Sequence, residues 1–204
     1  VALAPLAFVL VLSFGINKLS TTAAQALFFI KPSTALCAFK PGFSIPSAQG
    51  DVHNETELAV LIAKPLRQAD FARVNDAIWG YSLALDLTLR DIQAQLKQLG
   101  RPWEIAKGFD GACPVAGFVE KSRVQHPQQL EFSLTVNDIP RQQGNTANMI
   151  RGISQLISEM SQHFTLLPGD IVLTGTPAGV GPLSSGDTLQ LQLSDLFTVN
   201  SKVN

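Results

Sequence analysis

The chain has 204 residues, of which 46% are hydrophobic and 15% charged, with a formal net charge of −1. That length suffices for one sizeable core, and the apolar excess points to an extensive interior, an oligomer interface, or both. The near-neutral balance leaves no basic footprint for nucleic acid.

Residues 2–14 are mostly apolar. They are too few for a membrane span, which needs about twenty, so no membrane insertion is expected. The stretch resembles the apolar part of a signal peptide, and Ala24-Gln25-Ala26 resembles a cleavage site. No basic region precedes it, however, and a buried first strand is the expected reading. Cys37 and Cys113 lie far apart and outside any C-x-x-C spacing. A disulfide between them stays open, but neither a disulfide framework nor a zinc site is indicated. A reducing cytoplasm is the simplest compartment.

The next informative segment holds Glu55 and Glu57, just before the apolar run Ala59-Val60-Leu61-Ile62-Ala63. That run reads as a strand, in which residues i and i+2 share a face. Two adjacent carboxylates repel unless compensated. A hard divalent cation with a preference for oxygen is the usual compensator. The pair also reads as a solvent-facing acidic strand start. His53 would share the face of Glu55.

Asp86 closes the apolar run that begins at Trp79. Charges in such runs are seldom buried without a partner, although Asp86 also reads as a helix-entry residue. Thr88 with Asp91 resembles a capping box, which leaves Asp86 free of that task. Leu89, Ile92, Leu96 and Leu99 then recur at helical spacing, and Gly100 and Pro102 end the helix. On another face Arg90 and Gln93 lie about one turn apart and can point together.

Further along, residues 131–136 alternate as a strand and Asn137-Asp138 marks a turn. Met149, Ile150, Ile153, Leu156, Ile157 and Met160 define an amphipathic helix, with Asn145 or Thr146 as its cap. Residues 171–173 read as a short buried strand, and residues 188–193 alternate again. The Gly-rich loop of residues 175–181 can expose backbone N–H groups to an anion. It lacks the Gly-Lys-Ser/Thr ending of a phosphate-binding loop, which argues against a nucleotide. Strands outnumber helices without regular alternation, so an α+β, strand-rich fold is expected. No repeat or linker interrupts residues 1–204, which read as a single domain.

Four segments, taken in order, resemble one family: those around Glu55/Glu57 and Asp86, Ala106-Lys107-Gly108-Phe109-Asp110-Gly111-Ala112-Cys113-Pro114-Val115, and residues 167–182 with their Thr174-Gly175-Thr176-Pro177 turn. Phe28-Phe29-Ile30-Lys31-Pro32-Ser33 and Arg141-Gln142-Gln143-Gly144-Asn145-Thr146 add to the likeness. From about Leu27 to about Asp187 the chain resembles the fumarylacetoacetate hydrolase family, and in particular its small single-domain members that act on acylpyruvates and oxaloacetate. The resemblance implies a mixed β-sandwich roll and a homodimer. It implies Mg²⁺ or Mn²⁺ on Glu55, Glu57 and Asp86, with no ligand role for His53. It places the Lys107 ammonium against a bound 2-oxo acid, beside developing enolate charge. Arg90, Gln93 and Thr176 would bind the substrate. Read without the family, Lys107 is also an ordinary surface lysine, Thr176 a turn residue and Arg90 a solvated helix charge.

The activity expected first is metal-dependent hydrolysis of a carbon–carbon bond in an acylpyruvate, giving pyruvate and a carboxylate. The metal would act as Lewis acid and a base would activate water. Decarboxylation or keto–enol tautomerisation of oxaloacetate is the alternative, and a non-catalytic metal-binding relative a third reading. One departure bears on this choice. Between Gly15 and Leu27 the family carries G-R-N-Y-x-x-H-x-x-E, with a His/Glu pair on a lid helix. This chain has neither histidine nor glutamate there.

Overall fold

The computed structural model describes residues 9–13 and 27–204. Among these are fifteen strands in chain order, most of them built from apolar or alternating runs. The first nine are β1 (Val9–Ser13), β2 (Leu27–Lys31), β3 (Leu36–Ala38), β4 (Val52–Asn54), β5 (Thr56–Ile62), β6 (Ile78–Leu85), β7 (Thr88–Leu89), β8 (Cys113–Val115) and β9 (Val119–Glu120). The rest are β10 (Glu131–Val136), β11 (Ile139–Asn145), β12 (Ile171–Leu173), β13 (Gly181–Leu183), β14 (Thr188–Leu193) and β15 (Phe197–Lys202). The helices are α1 (Phe71–Ala77), α2 (Arg90–Gln98), α3 (Glu104–Lys107) and α4 (Ile153–His163).

The main sheet is mixed, in the order β2-β1-β12-β5-β6-β8-β3, with β9 also pairing with β6. The pairs β1–β12 and β3–β8 are parallel and the others antiparallel. An antiparallel sheet β11-β10-β14-β15 and a small sheet β13-β4-β7 complete the strand-rich α+β architecture that the sequence predicts.

Central β5 is covered on both faces. Leu58, Val60 and Ile62 enter a core shared with Leu83 and Leu85 of β6 and with Ile153, Leu156, Ile157 and Met160 of α4. Ala59 packs on the other face with Ala84, Cys113 and Leu173. Such strands carry near-continuous apolar runs, and each fully buried Leu, Ile or Val is worth about 1.5–3 kcal/mol. In β14, by contrast, Leu189, Leu191 and Leu193 are buried while Thr188, Gln190 and Gln192 face out. The hairpin joining β10 to β11 turns at Asn137 and Asp138, whose φ values of 51° and 61° suit a two-residue hairpin turn.

The apolar N-terminal run contributes a strand at β1, between β2 and β12. Residues 2–8 and 14, and the stretch compared with the lid, lie outside the described residues. Both cysteines are free. No described helix is long and apolar enough to cross a membrane.

Three local expectations are corrected. Thr88 does not cap α2. It pairs with His53 in the β4–β7 ladder, and the capping position falls on Leu89, which makes no side-chain cap. Asp91 instead accepts from the Asp51 N–H at 3.3 Å. The expected helix from Met149 begins only at Ile153, after Gly152. Asn145 caps a short 3₁₀ turn, Thr146–Asn148, and Thr146 Oγ1 is held between Leu130 N and Pro127 O. Ile150 is left 75% exposed. Finally, Glu55 is not inside a strand but in the one-residue break between β4 and β5.

Candidate metal and substrate site

The β5–β6 ladder builds the centre of the site. It sets Thr56 opposite Leu85 and Glu57 opposite Ala84. One step beyond the paired ends, Asp86 N–H donates to Glu55 O at 2.8 Å. The register thus brings Glu55, Glu57 and Asp86 together, each offering an oxygen within 4.8 Å of the others. Glu57 and Asp86 are 1% exposed, and the Glu55 side chain 13%.

Lysines from two other elements neutralise part of this charge. Lys107, at the end of α3, places Nζ 3.0 Å from Glu55 Oε2, 2.6 Å from Asp86 Oδ2 and 2.6 Å from Thr88 Oγ1. Lys31, at the end of β2, is fully buried and meets Asp86 Oδ1 at 2.7 Å. Its ammonium also donates to the carbonyls of Leu87, Ala112 and Lys107. Burial alone would raise the Asp86 carboxyl, but the Lys107 and Lys31 charges outweigh it and hold the group below the usual carboxylate range. Burial would likewise lower Lys107, yet Asp86 and Glu55 hold its ammonium above its ordinary value.

Glu57 is different. Among the described residues it has no ion pair, and the donor to its carboxylate is the Gly175 N–H. Burial, then the charges of Asp86 and Glu55, raise this carboxyl well above the normal range. The Lys107 charge and the Gly175 N–H offset this only in part, and burying a repelled carboxylate without a directly paired cation is costly. A hard divalent cation such as Mg²⁺ or Mn²⁺ fits the donor set of three carboxylates.

The substrate-binding candidates surround this centre. Arg90 donates to Glu55 Oε1 at 2.7 Å, to Gln93 Oε1 at 2.9 Å and to His53 Nδ1 at 3.3 Å. Burial and the Arg90 charge push the His53 imidazole below its ordinary pKa. Arg90, Gln93, Glu55 and His53 therefore form one cluster. Thr176 Oγ1 donates to Thr56 O at 3.0 Å, which ties the Gly-rich loop to the strand that carries the glutamates.

Gln142 of β11 and Lys31 escaped the sequence reading as site residues, although both stand in segments that carry the family resemblance. Buried Gln142 accepts from Asn54 Nδ2 at 2.8 Å and Thr56 N at 2.9 Å, and donates to Thr176 Oγ1 at 2.7 Å and Pro177 O at 3.0 Å. The loop lies so close to β11 that a Cβ on Gly179, where φ is +101°, would meet Arg141 O at 1.9 Å. Gln142→Leu strands buried donors and acceptors at about 1–3 kcal/mol each. We expect a loss of about 2–4 kcal/mol in urea unfolding, with KM for substrate rising more than kcat falls. A variant as stable as the parent would show that the loop does not hang on this amide.

The family model described as "Fumarylacetoacetate (FAA) hydrolase C-terminal" matches residues 11–204. The oxaloacetate tautomerase YcgM of Escherichia coli (strain K12) is 54% identical over 171 residues, 83% of this chain and 78% of that protein. A crystal structure of a fumarylacetoacetate hydrolase family protein from Yersinia pestis CO92 superposes with a TM-score of 0.92 at 50% identity, covering 98% of this chain and 93% of its own. The fumarylpyruvate hydrolase of Pseudomonas aeruginosa, solved with Mn²⁺ and pyruvate, gives 0.88 at 30% identity, covering 96% and 88%. A match through the segments that hold the three carboxylates, Lys107 and the Gly-rich loop, shared with relatives over most of their length, makes this chain a member of the fumarylacetoacetate hydrolase family.

Proposed function

We propose that this chain is a single catalytic domain that interconverts the keto and enol forms of oxaloacetate or a similar small 2-oxo acid with the help of Mg²⁺ or Mn²⁺. The observation that carries the reading is the Glu57 carboxylate, buried beside Asp86 and Glu55 with no ion pair of its own among the described residues. Glu55, Glu57 and Asp86 would hold the ion, and the chemistry it would supply is Lewis-acid stabilisation of enolate charge.

The chain's own residues supply the rest. Lys107 holds a fixed ammonium beside the carboxylates, where growing enolate charge is met without reorganisation. Arg90, Gln93 and Thr176 orient the substrate carboxylate, and the ring of Phe29 lies 5.3 Å from Lys107 Nζ. A homodimer and a cytoplasmic compartment belong to the same proposal.

The relative named an oxaloacetate tautomerase favours this reaction. Carbon–carbon hydrolysis of an acylpyruvate is the second reading, favoured by the resemblance to the Pseudomonas fumarylpyruvate hydrolase. Ultraviolet loss of enol-oxaloacetate and pyruvate release from acetylpyruvate, assayed side by side with Mn²⁺, separate the two. Rapid pyruvate release with no effect on the enol would reverse their order.

The ion itself is tested through Glu57→Gln. The parent should gain thermal stability with Mn²⁺, about 2.7 kcal/mol at one hundred times Kd. The variant should lose that gain, while its ion-free melting temperature stays level or rises because a buried, repelled carboxyl has gone. An equal Mn²⁺-induced rise in both proteins would exclude Glu57 as a ligand.

A further inference from the structure

We infer that Lys97 selects 2-oxo acids that carry a second carboxylate, by holding a cation at the rim of the site on the same face of α2 as Arg90 and Gln93. The inference rests on the proposed 2-oxo acid site and adds its specificity. At 100° per residue, positions 90, 93 and 97 fall within about 60° of one another around the helix. Helical side chains lean toward the N-terminus, so the Lys97 stem runs back toward Arg90.

Contacts place the Lys97 ammonium more closely. Its Nζ lies 4.7 Å from the centre of the Trp103 ring. Trp103 packs edge-on against Phe29 at 6.1 Å, and Phe29 covers Lys107. An aromatic bridge thus joins the two ammonium groups. Burial and the charges of Arg90 and Lys107 lower the pKa of Lys97 while Glu55 raises it, consistent with a place at the edge of the same charge cluster.

Among the cations whose charges meet here, pairing sets this residue apart. Lys107 is engaged by Glu55 and Asp86, Lys31 by Asp86, and Arg90 by Glu55. Lys97 forms no ion pair among the described residues. It is exposed, held on an aromatic face and free to meet an incoming anion. A substrate with one carboxylate leaves it unused, and a dicarboxylate fills it.

The test compares Lys97→Met, which keeps the stem on Trp103, and Lys97→Arg, which keeps the charge. Calorimetry on the Mn²⁺-loaded protein reads the affinity of 2-oxoglutarate, a diacid, and 2-oxobutyrate, a monoacid. Turnover of enol-oxaloacetate is measured alongside. Lys97→Met should weaken the diacid about five-fold, the worth of one partly exposed ion pair. The monoacid should change by less than about two-fold, and Lys97→Arg should restore the parent ratio. Equal changes for both acids, or none, would overturn the role of Lys97 while leaving parental turnover of oxaloacetate intact. Charge-dependent discrimination without any turnover would support Lys97 and remove the tautomerase reading instead.

Discussion

Asp86→Asn is expected to lose about 3–5 kcal/mol of folding stability together with its divalent-ion binding. Asp86 is the shared counter-ion of two buried lysines, with Lys31 at 2.7 Å on one oxygen and Lys107 at 2.6 Å on the other. Neutralising it leaves Lys31 facing only carbonyl oxygens, and leaves Lys107 with the Thr88 hydroxyl and a single ion-paired carboxylate, Glu55. An amide of the same shape also turns an N–H₂ toward one of the ammonium groups. Urea unfolding without added metal reads the structural part, and a Mn²⁺ titration reads the ligand part. A variant within about 1 kcal/mol of the parent, below the usual loss for a broken buried pair, would mean that the lysines find other counter-charges. One that still bound Mn²⁺ normally would remove Asp86 from the ligand set.

Lys107→Met behaves in the opposite sense. Asp86 keeps Lys31, so its own charge stays balanced and the fold should survive. What disappears is the ammonium between Glu55 Oε2, Asp86 Oδ2 and Thr88 Oγ1. Turnover of oxaloacetate should fall by about 10²–10³-fold, the loss seen when one preorganised donor to a developing oxyanion is removed. Mn²⁺ affinity should hold or tighten, because a competing positive charge has gone. The signature is therefore a collapse of kcat with ion binding preserved. Unchanged turnover would reduce Lys107 to a structural counter-ion.

The acidic centre was legible because its residues occupy short, motif-bearing segments. Glu55 and Glu57 precede an apolar run, and Asp86 ends one. The strand register then does in space what the order of the segments implies, by setting Asp86 against Glu55. Lys31 and Gln142 were not legible in the same way. A lysine at a strand end is ordinarily solvated, and its burial here depends on carbonyls 56, 76 and 81 residues away. Gln142 sits in a polar strand whose flanking residues Arg141 and Gln143 are exposed, and only the distant Thr56 and Thr176 show why it alone turns inward. The expected cap at Thr88 failed for a related reason. Local propensity favours the helix start, but pairing with β4 and the Lys107 ammonium claim the residue first.

Apart from the Arg90–Gln93 contact, the ties that assemble the site join residues well separated in sequence. Lys107 reaches Glu55 across 52 positions, and Thr176 reaches Thr56 across 120. Closing such loops costs entropy before any contact repays it, and chains dominated by distant pairings fold slowly. The segments that close cheaply, such as the β10–β11 hairpin, carry none of the three carboxylates. A chain emerging from the ribosome can therefore complete this centre only after Gly175 and Thr176 have been made and docked. Until then the β5–β6 ladder can set the three carboxylates side by side, but Glu57 lacks the Gly175 N–H that meets it in the finished fold.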